Sequence, residues 1–132
     1  MATSGSPFEG RDNRIVPKVY VAGELDIRLY TNTANSLSST TVLADLTQPA
    51  GSGSADITLS GNWSGDSGVV TYDSDPTWTA GADFTGGAVT GVAVTDGTYI
   101  LHFMDLSLGP ITFLVGPPAT VLTVDLSTFI SV

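Results

Sequence analysis

The sequence predicts an all-β fold: an antiparallel β-sandwich or small barrel, jelly-roll-like, preceded by an extended N-terminal arm. Two features of the 132-residue chain lead to this prediction. From Val19 onward, apolar and polar residues alternate in short runs, which is the period of a half-buried strand. Gly, Pro, Asn and Asp separate these runs about every 8–12 residues, the spacing typical of sandwiches and barrels.

The arm is predicted over residues 1–18, which are rich in turn and linker residues and poor in apolar ones. With Arg11, Arg14 and Lys18 against two acidic residues, it is the only segment with net positive charge. Such an arm suits docking onto an acidic neighbour, so these basic residues are the candidate protein-interaction residues. An ordinary frayed terminus is the alternative interpretation. Residues 19–132 are predicted to form a single β domain.

The first strands follow from strict alternation. Leu25, Ile27 and Leu29 are separated by charged residues, which predicts a strand with one buried and one solvated face. The same pattern recurs over 55–60. Between them, 39–46 is the one segment whose apolar residues could share a helical face, and it is short.

Further strands are predicted downstream, with one specific turn signal between them. Asp96-Gly97 is the strongest short hairpin signal in the chain, because a type I′ turn needs positive φ at both central positions. Residues 99–104 are apolar on both faces, so we expect a central strand, or one whose second face is covered by a partner subunit. The further predicted strands cover 69–72, 88–95, 98–105, 111–115, 120–126 and 129–132.

Fixed positive charge ends at Arg28. Residues 29–132 contain nine acidic side chains and no Lys or Arg, and the net charge of the chain is −9. Nucleic-acid binding needs several Lys or Arg on one face, and phosphoryl transfer needs cations aimed at the transferred group. The sequence therefore excludes both functions from this region, and no nucleic-acid partner is expected. Much of the weakly charged surface must consist of Thr, Ser, Asn and Gly, which tolerates contact with other protein.

Other features of the composition and of the N-terminal sequence limit the chemistry and the location expected for the chain. It contains no Cys, so neither disulfides nor thiolate chemistry is expected. Its first residues lack the basic segment and apolar stretch of a signal peptide. No apolar run approaches the roughly 18 residues of a membrane span. We therefore expect a soluble protein with no membrane partner.

Motifs that could carry catalysis are weak. Gly65-Asp66-Ser67-Gly68 matches the tetrad around the nucleophile of chymotrypsin-like proteases, but the single His, His102, follows it in a chain too short for two barrels. The tetrad is interpreted as a tight turn and His102 as a packed or interface histidine. Gly51-Ser52-Gly53 lacks the third Gly of a dinucleotide fingerprint. No catalytic residue and no cofactor is predicted.

Two further groups could bind small ligands. Asp73 and Asp75 could offer oxygens to Ca²⁺, but the EF-hand pattern is absent, so they are interpreted as turn residues and no metal site is predicted. Four aromatic residues over 63–84 could line a sugar-binding surface, although loop anchors on a sandwich core are the commoner reading. They are Trp63, Tyr72, Trp78 and Phe84.

Five segments of core-strand and turn residues form a recognisable series along the chain: 42–47, 57–59, 91–96, 108–113 and 122–124. Through these segments, over about residues 25–126, the chain resembles a family of short β-rich virion proteins of tailed bacteriophages. The chain departs from the family pattern in its long N-terminal stretch and in having Val92 where an aromatic is expected.

This resemblance implies a non-enzymatic head decoration, or cement, protein that binds the outer capsid surface and stabilises the shell. Its partners would be the major capsid protein and further copies of itself, with a homotrimer at a threefold or quasi-threefold position. It would be made in the host cytoplasm and reside on the virion. The alternative is a phage adhesin or tail-fibre domain that binds a host surface glycan through residues 63–84.

Overall fold

The computed structural model describes residues 24–61, 63–66 and 69–126. Within these ranges the chain forms antiparallel β-sheets, and its helical structure is one 3₁₀ turn over Leu43–Asp45. The predicted all-β class is therefore confirmed. None of the helical structure described is long and apolar enough to cross a membrane. In chain order the strands are β1 (Leu25–Tyr30), β2 (Ile57–Leu59), β3 (Trp63–Asp66), β4 (Val69–Tyr72), β5 (Thr77–Thr79), β6 (Gly91–Thr95), β7 (Ile100–Asp105) and β8 (Val121–Thr123).

The described residues group into two compact units. Residues 25–58 and 77–123 form the first unit, and residues 59–76 and 124–126 belong to the second. The single β domain over 19–132 stays a prediction. The predicted arm and the predicted strand over 129–132 lie outside the described residues.

Strands β1, β6 and β7 of the first unit belong to a four-stranded sheet of order β2-β1-β6-β7. Strand β1 has the predicted alternation, because Leu25, Ile27 and Leu29 are buried whereas Asp26 and Arg28 are half-exposed. Strand β6 pairs antiparallel with β1 and is buried at every residue. With β1 it is one of the two interior strands of this sheet, as its run of small and β-branched residues allows.

Among the strands that the structure describes, the strand predicted over 99–104 is not central. Strand β7 pairs with β6 and ends the order of the described sheet, and each of its residues is only half-buried. The alternative, that a partner subunit covers its second face, stays a prediction. An apolar run on both faces indicates that both faces meet apolar surroundings, but it does not specify how many strands flank it. Strand β6, whose residues are smaller, lies between β1 and β7 in the interior of the sheet.

The predicted type I′ turn at Asp96-Gly97 is also wrong, although the hairpin itself is confirmed. Only Gly97 in this turn has positive φ, at 91°. The pairing Thr95↔Ile100 leaves four residues, 96–99, in the loop. The Asp96 carboxylate accepts the N–H groups of Thr98 at 2.9 Å and Tyr99 at 2.7 Å, so a side chain closes the longer loop.

Strands β5 and β8 form a two-stranded sheet in the same unit. Trp78 opposite Leu122 is buried and donates its Nε1–H to the carbonyl of Ala55 at 3.0 Å. On the opposite face, the hydroxyls of Thr77 and Thr123 lie 2.9 Å apart. Sequence analysis missed β5, because three residues are too few to establish a period.

The strand predicted over 111–115 is not formed. Ile111 makes one isolated bridge with Val89. The following N–H groups bond to side chains, since that of Leu114 donates to the Thr120 hydroxyl at 3.1 Å and that of Val115 to the Asp83 carboxylate at 2.8 Å. Side-chain oxygens thus accept these N–H groups in place of the backbone carbonyls of a neighbouring strand.

The helix considered over 39–46 reduces to the 3₁₀ turn Leu43–Asp45, which buries no residue. The Asp45 carboxylate accepts the N–H of Val42 at 3.0 Å. Just before it, the N–H of Ser38 donates to the Thr41 hydroxyl at 2.8 Å. Short polar side chains bind nearby backbone groups here, and this competes with the regular ladder of a helix.

The second unit contains the antiparallel hairpin of β3 and β4. Strand β4 has the predicted bounds 69–72, whereas β3 overlaps the Gly65-Asp66-Ser67-Gly68 tetrad, for which the sequence predicts a tight turn. Trp63 and Tyr72 are paired across the hairpin, and both are buried. Their rings meet edge to face with centroids 4.8 Å apart. This aromatic pair explains why a Gly-containing segment is held as a strand.

Candidate interaction surface along strand β7

Strand β7 combines apolar side chains with partial exposure along its whole length. The register pairs Ala93 with Phe103 and Val94 with His102, but Thr95 pairs with Ile100. Leu101 is therefore the extra residue of a β-bulge. From His102 to Asp105 the ladder is regular, so these residues present a continuous, half-exposed strand.

The charge of β7 is confined to its last residue. Residues 100–104 include His102 but no Asp, Glu, Lys or Arg. Burial lowers the pKa of His102 below its ordinary value, so the ring is neutral at pH 7. Asp105 accepts the Tyr30 hydroxyl at 2.7 Å and the N–H of Asn35 at 2.7 Å. The exposed part of the strand thus carries no fixed charge before Asp105.

Tyr30 anchors the end of this strand across the sheet. Tyr30 pairs with Gly91, and Gly91 pairs with Asp105, so the three residues form one row on one face. A Cβ added at Gly91 would overlap the Tyr30 ring and the carbonyl of Met104. Glycine is needed there so that the Tyr30 ring can lie over β6 and its hydroxyl can reach Asp105.

A depression of about 290 Å³ borders β7. One wall consists of four consecutive strand residues, 100–103, and the other of Ser38, Ser39 and Thr41. Successive strand residues point to opposite faces, so a depression that touches all four runs along the edge of the strand. The hydroxyl wall is ordered by the hydrogen bonds between Ser38 and Thr41.

The same unit exposes further large apolar residues. Tyr99, at the β6–β7 turn, is 68% exposed, and Leu108 is 92% exposed. Leu114, Val115 and Val121 are also exposed. Leu108 and these three residues come from residues 106–124, which contain no charged residue. Sequence reasoning did not single out this stretch, although its lack of charge over so many residues was a readable signal for a contact surface.

The sequence-predicted interaction residues Arg11, Arg14 and Lys18 lie outside the described residues. Ser67 of the Gly/Asp/Ser tetrad lies outside them as well. Gly65 and Asp66 belong to strand β3, where they pair with Val70 and Val69. His102 is half-buried on an apolar strand, which agrees with its interpretation as a packed or interface histidine.

The aromatic residues considered for sugar binding are mostly internal. Trp63, Tyr72 and Trp78 are buried. Phe84 is half-exposed, and its ring stacks on the buried Phe113 at a centroid distance of 4.5 Å. Rings that pack in a core offer no open face to a sugar, so the reading of these residues as core anchors is favoured.

The acidic residues considered for Ca²⁺ lie in the second unit. Asp73 and Asp75 line an open depression together with Asp125. Throughout the described ranges, however, no group of three or more His, Cys, Asp or Glu side chains is placed to hold a metal ion. The geometry therefore supports no metal centre at these aspartates.

Comparison of the chain with family models, with curated proteins and with solved structures gives no match. The resemblance to phage virion proteins rests on the sequence segments given above.

Proposed function

We propose that this chain is a non-enzymatic structural protein of a tailed-bacteriophage virion, specifically a head decoration protein that binds the outer capsid surface. The observation that carries the proposal is the apolar, half-exposed strand β7 with its weakly charged surroundings. A surface that combines apolar strand residues with hydroxyl groups suits binding to other protein.

The charge distribution supports different binding roles for two parts of the chain. The positive residues of the predicted arm contrast with a body that has nine acidic residues after Arg28 and no cation. In this proposal the arm supplies electrostatic contacts to the major capsid protein, and the β body supplies apolar contacts. The protein would stabilise the shell by linking neighbouring capsid subunits.

The proposed mechanism is multivalent. Each arm and each body contact contributes modest affinity, and joining several copies raises the effective concentration of the remaining contacts. A homotrimer at threefold or quasi-threefold positions would use the capsid symmetry in this way. No chemical step and no cofactor is involved.

The proposal is tested on phage particles with and without this protein. Particles assembled without it should take up the purified chain on the outside of the head, visible as added density by electron microscopy. They should also resist heat better after uptake, because a ligand that binds the intact shell stabilises it. Density confined to the tail, or no uptake at saturating protein, would contradict the proposal.

A control separates decoration from adhesion. If the chain is a decoration protein, it should bind only weakly to host cells, and binding should be the same whether or not the cells carry phage receptors. Strong, receptor-dependent binding to cells would instead support the adhesin function, which the buried positions of Trp63, Tyr72 and Trp78 do not favour.

A further inference from the structure

We infer that Asp96-Gly97 is a site of spontaneous isomerisation to isoaspartate, and that the folded β6–β7 turn keeps this reaction slow by holding both reacting groups in hydrogen bonds. The substrate is the chain itself, and water is the co-reactant that completes the reaction. The inference concerns the covalent chemistry of one turn, so it is independent of the proposed virion role.

The reaction joins the side chain of Asp96 to the main chain of the next residue. The amide nitrogen of Gly97 attacks the carboxyl carbon Cγ of Asp96 and forms a C–N bond, while the carboxyl hydroxyl leaves with the amide proton as water. The product is a cyclic succinimide. Water then opens the ring at either carbonyl, which restores aspartate or gives isoaspartate, whose main chain runs through the former side chain.

Sequence and exposure both favour this site. Asp96-Gly97 is the only Asp-Gly pair in the chain, and glycine has no side chain to hinder attack by its own nitrogen. Both residues are exposed. Apart from its neighbours in the chain, Gly97 has no atom within 4 Å of where a Cβ would lie. Water and solvent bases therefore have access to both reacting groups.

The nucleophile is held by the residue before the pair. The N–H of Gly97 donates to the hydroxyl of Thr95 at 3.0 Å. Attack requires the nitrogen to give up this proton to solvent, but the hydrogen bond directs the proton at Thr95 instead. Thr95 is buried at the end of β6, and its side chain is β-branched, so packing fixes the position of its hydroxyl.

The electrophile is held by the two residues after the pair. The Asp96 carboxylate accepts the N–H groups of Tyr99 at 2.7 Å and Thr98 at 2.9 Å, so rotation of the side chain toward the Gly97 nitrogen would break both bonds. The N–H of Asp96 also donates to the carbonyl of Tyr99 at 3.3 Å. The bonds from Tyr99 and Thr98 lower the pKa of Asp96, which favours the ionised carboxyl, a form that loses oxygen poorly.

Both constraints exist only while the turn is closed. Local opening of the β6–β7 loop would release the nucleophile and the electrophile together, so the reaction should proceed mainly from the open turn. Isoaspartate adds one carbon to the main chain and moves the carboxylate relative to the N–H groups that it accepted. A modified chain therefore cannot close the turn with the same bonds.

The first test compares the folded and unfolded full chain during prolonged incubation at neutral pH. A protease that cleaves before aspartate but not before isoaspartate, followed by mass spectrometry, locates the product at residue 96. The folded wild type should accumulate isoaspartate there at least tenfold more slowly than the chain unfolded in guanidinium chloride. Equal rates, or no product in the unfolded chain, would overturn the inference.

Substitutions of Thr95 test the proposed constraint on the nucleophile. Thr95→Val removes the hydroxyl but keeps a β-branched residue in the strand, so isoaspartate should form at least threefold faster in the folded protein. Thr95→Ser keeps the hydroxyl and should remain at the wild-type rate. Circular dichroism would verify that each variant is folded.

Thr98→Val is the matched control, because it makes the same change at an exposed residue of the same loop and keeps the N–H that donates to Asp96. It should isomerise at the wild-type rate. A Thr95→Val rate equal to that of the wild type or of Thr98→Val would overturn the inference, and so would a Thr95→Ser rate as high as that of Thr95→Val.

Discussion

At the scale of single residues, Tyr30 links three strands. Its ring lies over Gly91 of β6, and its hydroxyl donates to Asp105 of β7 at 2.7 Å. Burial, followed by the hydrogen bond to Asp105 and its negative charge, raises the pKa of the Tyr30 hydroxyl. The neutral hydroxyl is therefore the form that the folded sheet stabilises.

Replacing Tyr30 by Phe should lower the free energy of unfolding by about 1–2 kcal/mol at pH 7, because a carboxylate loses a hydrogen-bond donor. Since the pKa is raised in the folded state, this stabilisation is fully present below the unfolded pKa of about 10 and is lost as pH rises above it. Urea denaturation of both proteins at pH 8 and 10.5 should show the difference shrinking. A pH-independent difference would indicate that packing alone is involved.

Asp96 gives a second prediction with the opposite pH dependence. Hydrogen bonds from the N–H groups of Tyr99 and Thr98 lower its pKa. A depressed pKa contributes stability above the unfolded value of about 3.9, and this stability is lost as pH falls through the folded value. Asp96→Ala should cost about 1 kcal/mol at pH 7, a modest value because the carboxylate is exposed to solvent.

Thermal unfolding across pH 2–7 would check this behaviour. The difference in Tm between wild type and Asp96→Ala should narrow in acid. Asp96→Asn is the matched control, because its amide oxygen still accepts both bonds but does not titrate. If Asn behaved like Ala at every pH, the two backbone bonds would not be the source of the stability.

At the scale of elements, the pairing of β5 with β8 depends on one large side chain. These strands are short, and their paired threonines are 46 residues apart in sequence. Trp78 is 2% exposed and anchors the buried face of the pair. On the solvated face, the Thr77–Thr123 hydroxyl contact is exposed.

Trp78→Ala should therefore destabilise the protein by about 3–5 kcal/mol through lost burial and cavity formation. Thr123→Ala, the control from the opposite face, should cost less than about 1 kcal/mol. Chemical denaturation followed by circular dichroism would measure both. Similar losses from the two variants would show that the ladder, rather than the tryptophan, holds the pair.

The elements also show what the sequence could predict. Strands β1 and β2 follow directly from local alternation, and the hairpin of β6 and β7 from Asp96-Gly97. Strand β3 could not be predicted from its own residues. It is stabilised by packing of Trp63 against Tyr72 of the next strand, β4. The apolar character of β7 was readable, but its place at the end of the sheet order depends on long-range pairing, which no local pattern encodes. For the same reason the depression beside Ser38–Thr41 could not be foreseen.

At the scale of the whole molecule, net charge is the dominant property. Because the chain has a net charge of −9 and only four Lys and Arg residues, its acidic side chains repel one another and destabilise the folded state. Salt screens this repulsion. Moderate NaCl should therefore raise Tm. Because the described residues hold no cluster fit for a metal ion, Ca²⁺ should raise Tm no more than Mg²⁺ at equal ionic strength. A large Ca²⁺-specific increase would contradict this and point to Asp73 and Asp75.

The predicted arm and the acidic body are tested together on particles. If the arm docks the protein onto capsid, deletion of residues 2–18 should leave a folded β body that binds particles weakly, because these residues offer little apolar area to a core. Replacing Arg11, Arg14 and Lys18 together by Ala should weaken binding most at low salt, where charges are least screened.

Replacement of Glu9 and Asp12 by Ala is the matched control, because it alters the same segment while removing negative rather than positive charge. This variant should bind at least as well as the wild type, whereas a general requirement for the segment would weaken both variants alike. Particle occupancy measured by co-sedimentation at two salt concentrations separates these cases. Wild-type occupancy by the truncated chain would remove the arm from the mechanism and assign capsid binding to the β body, where β7 and the charge-free residues 106–124 offer the apolar surface.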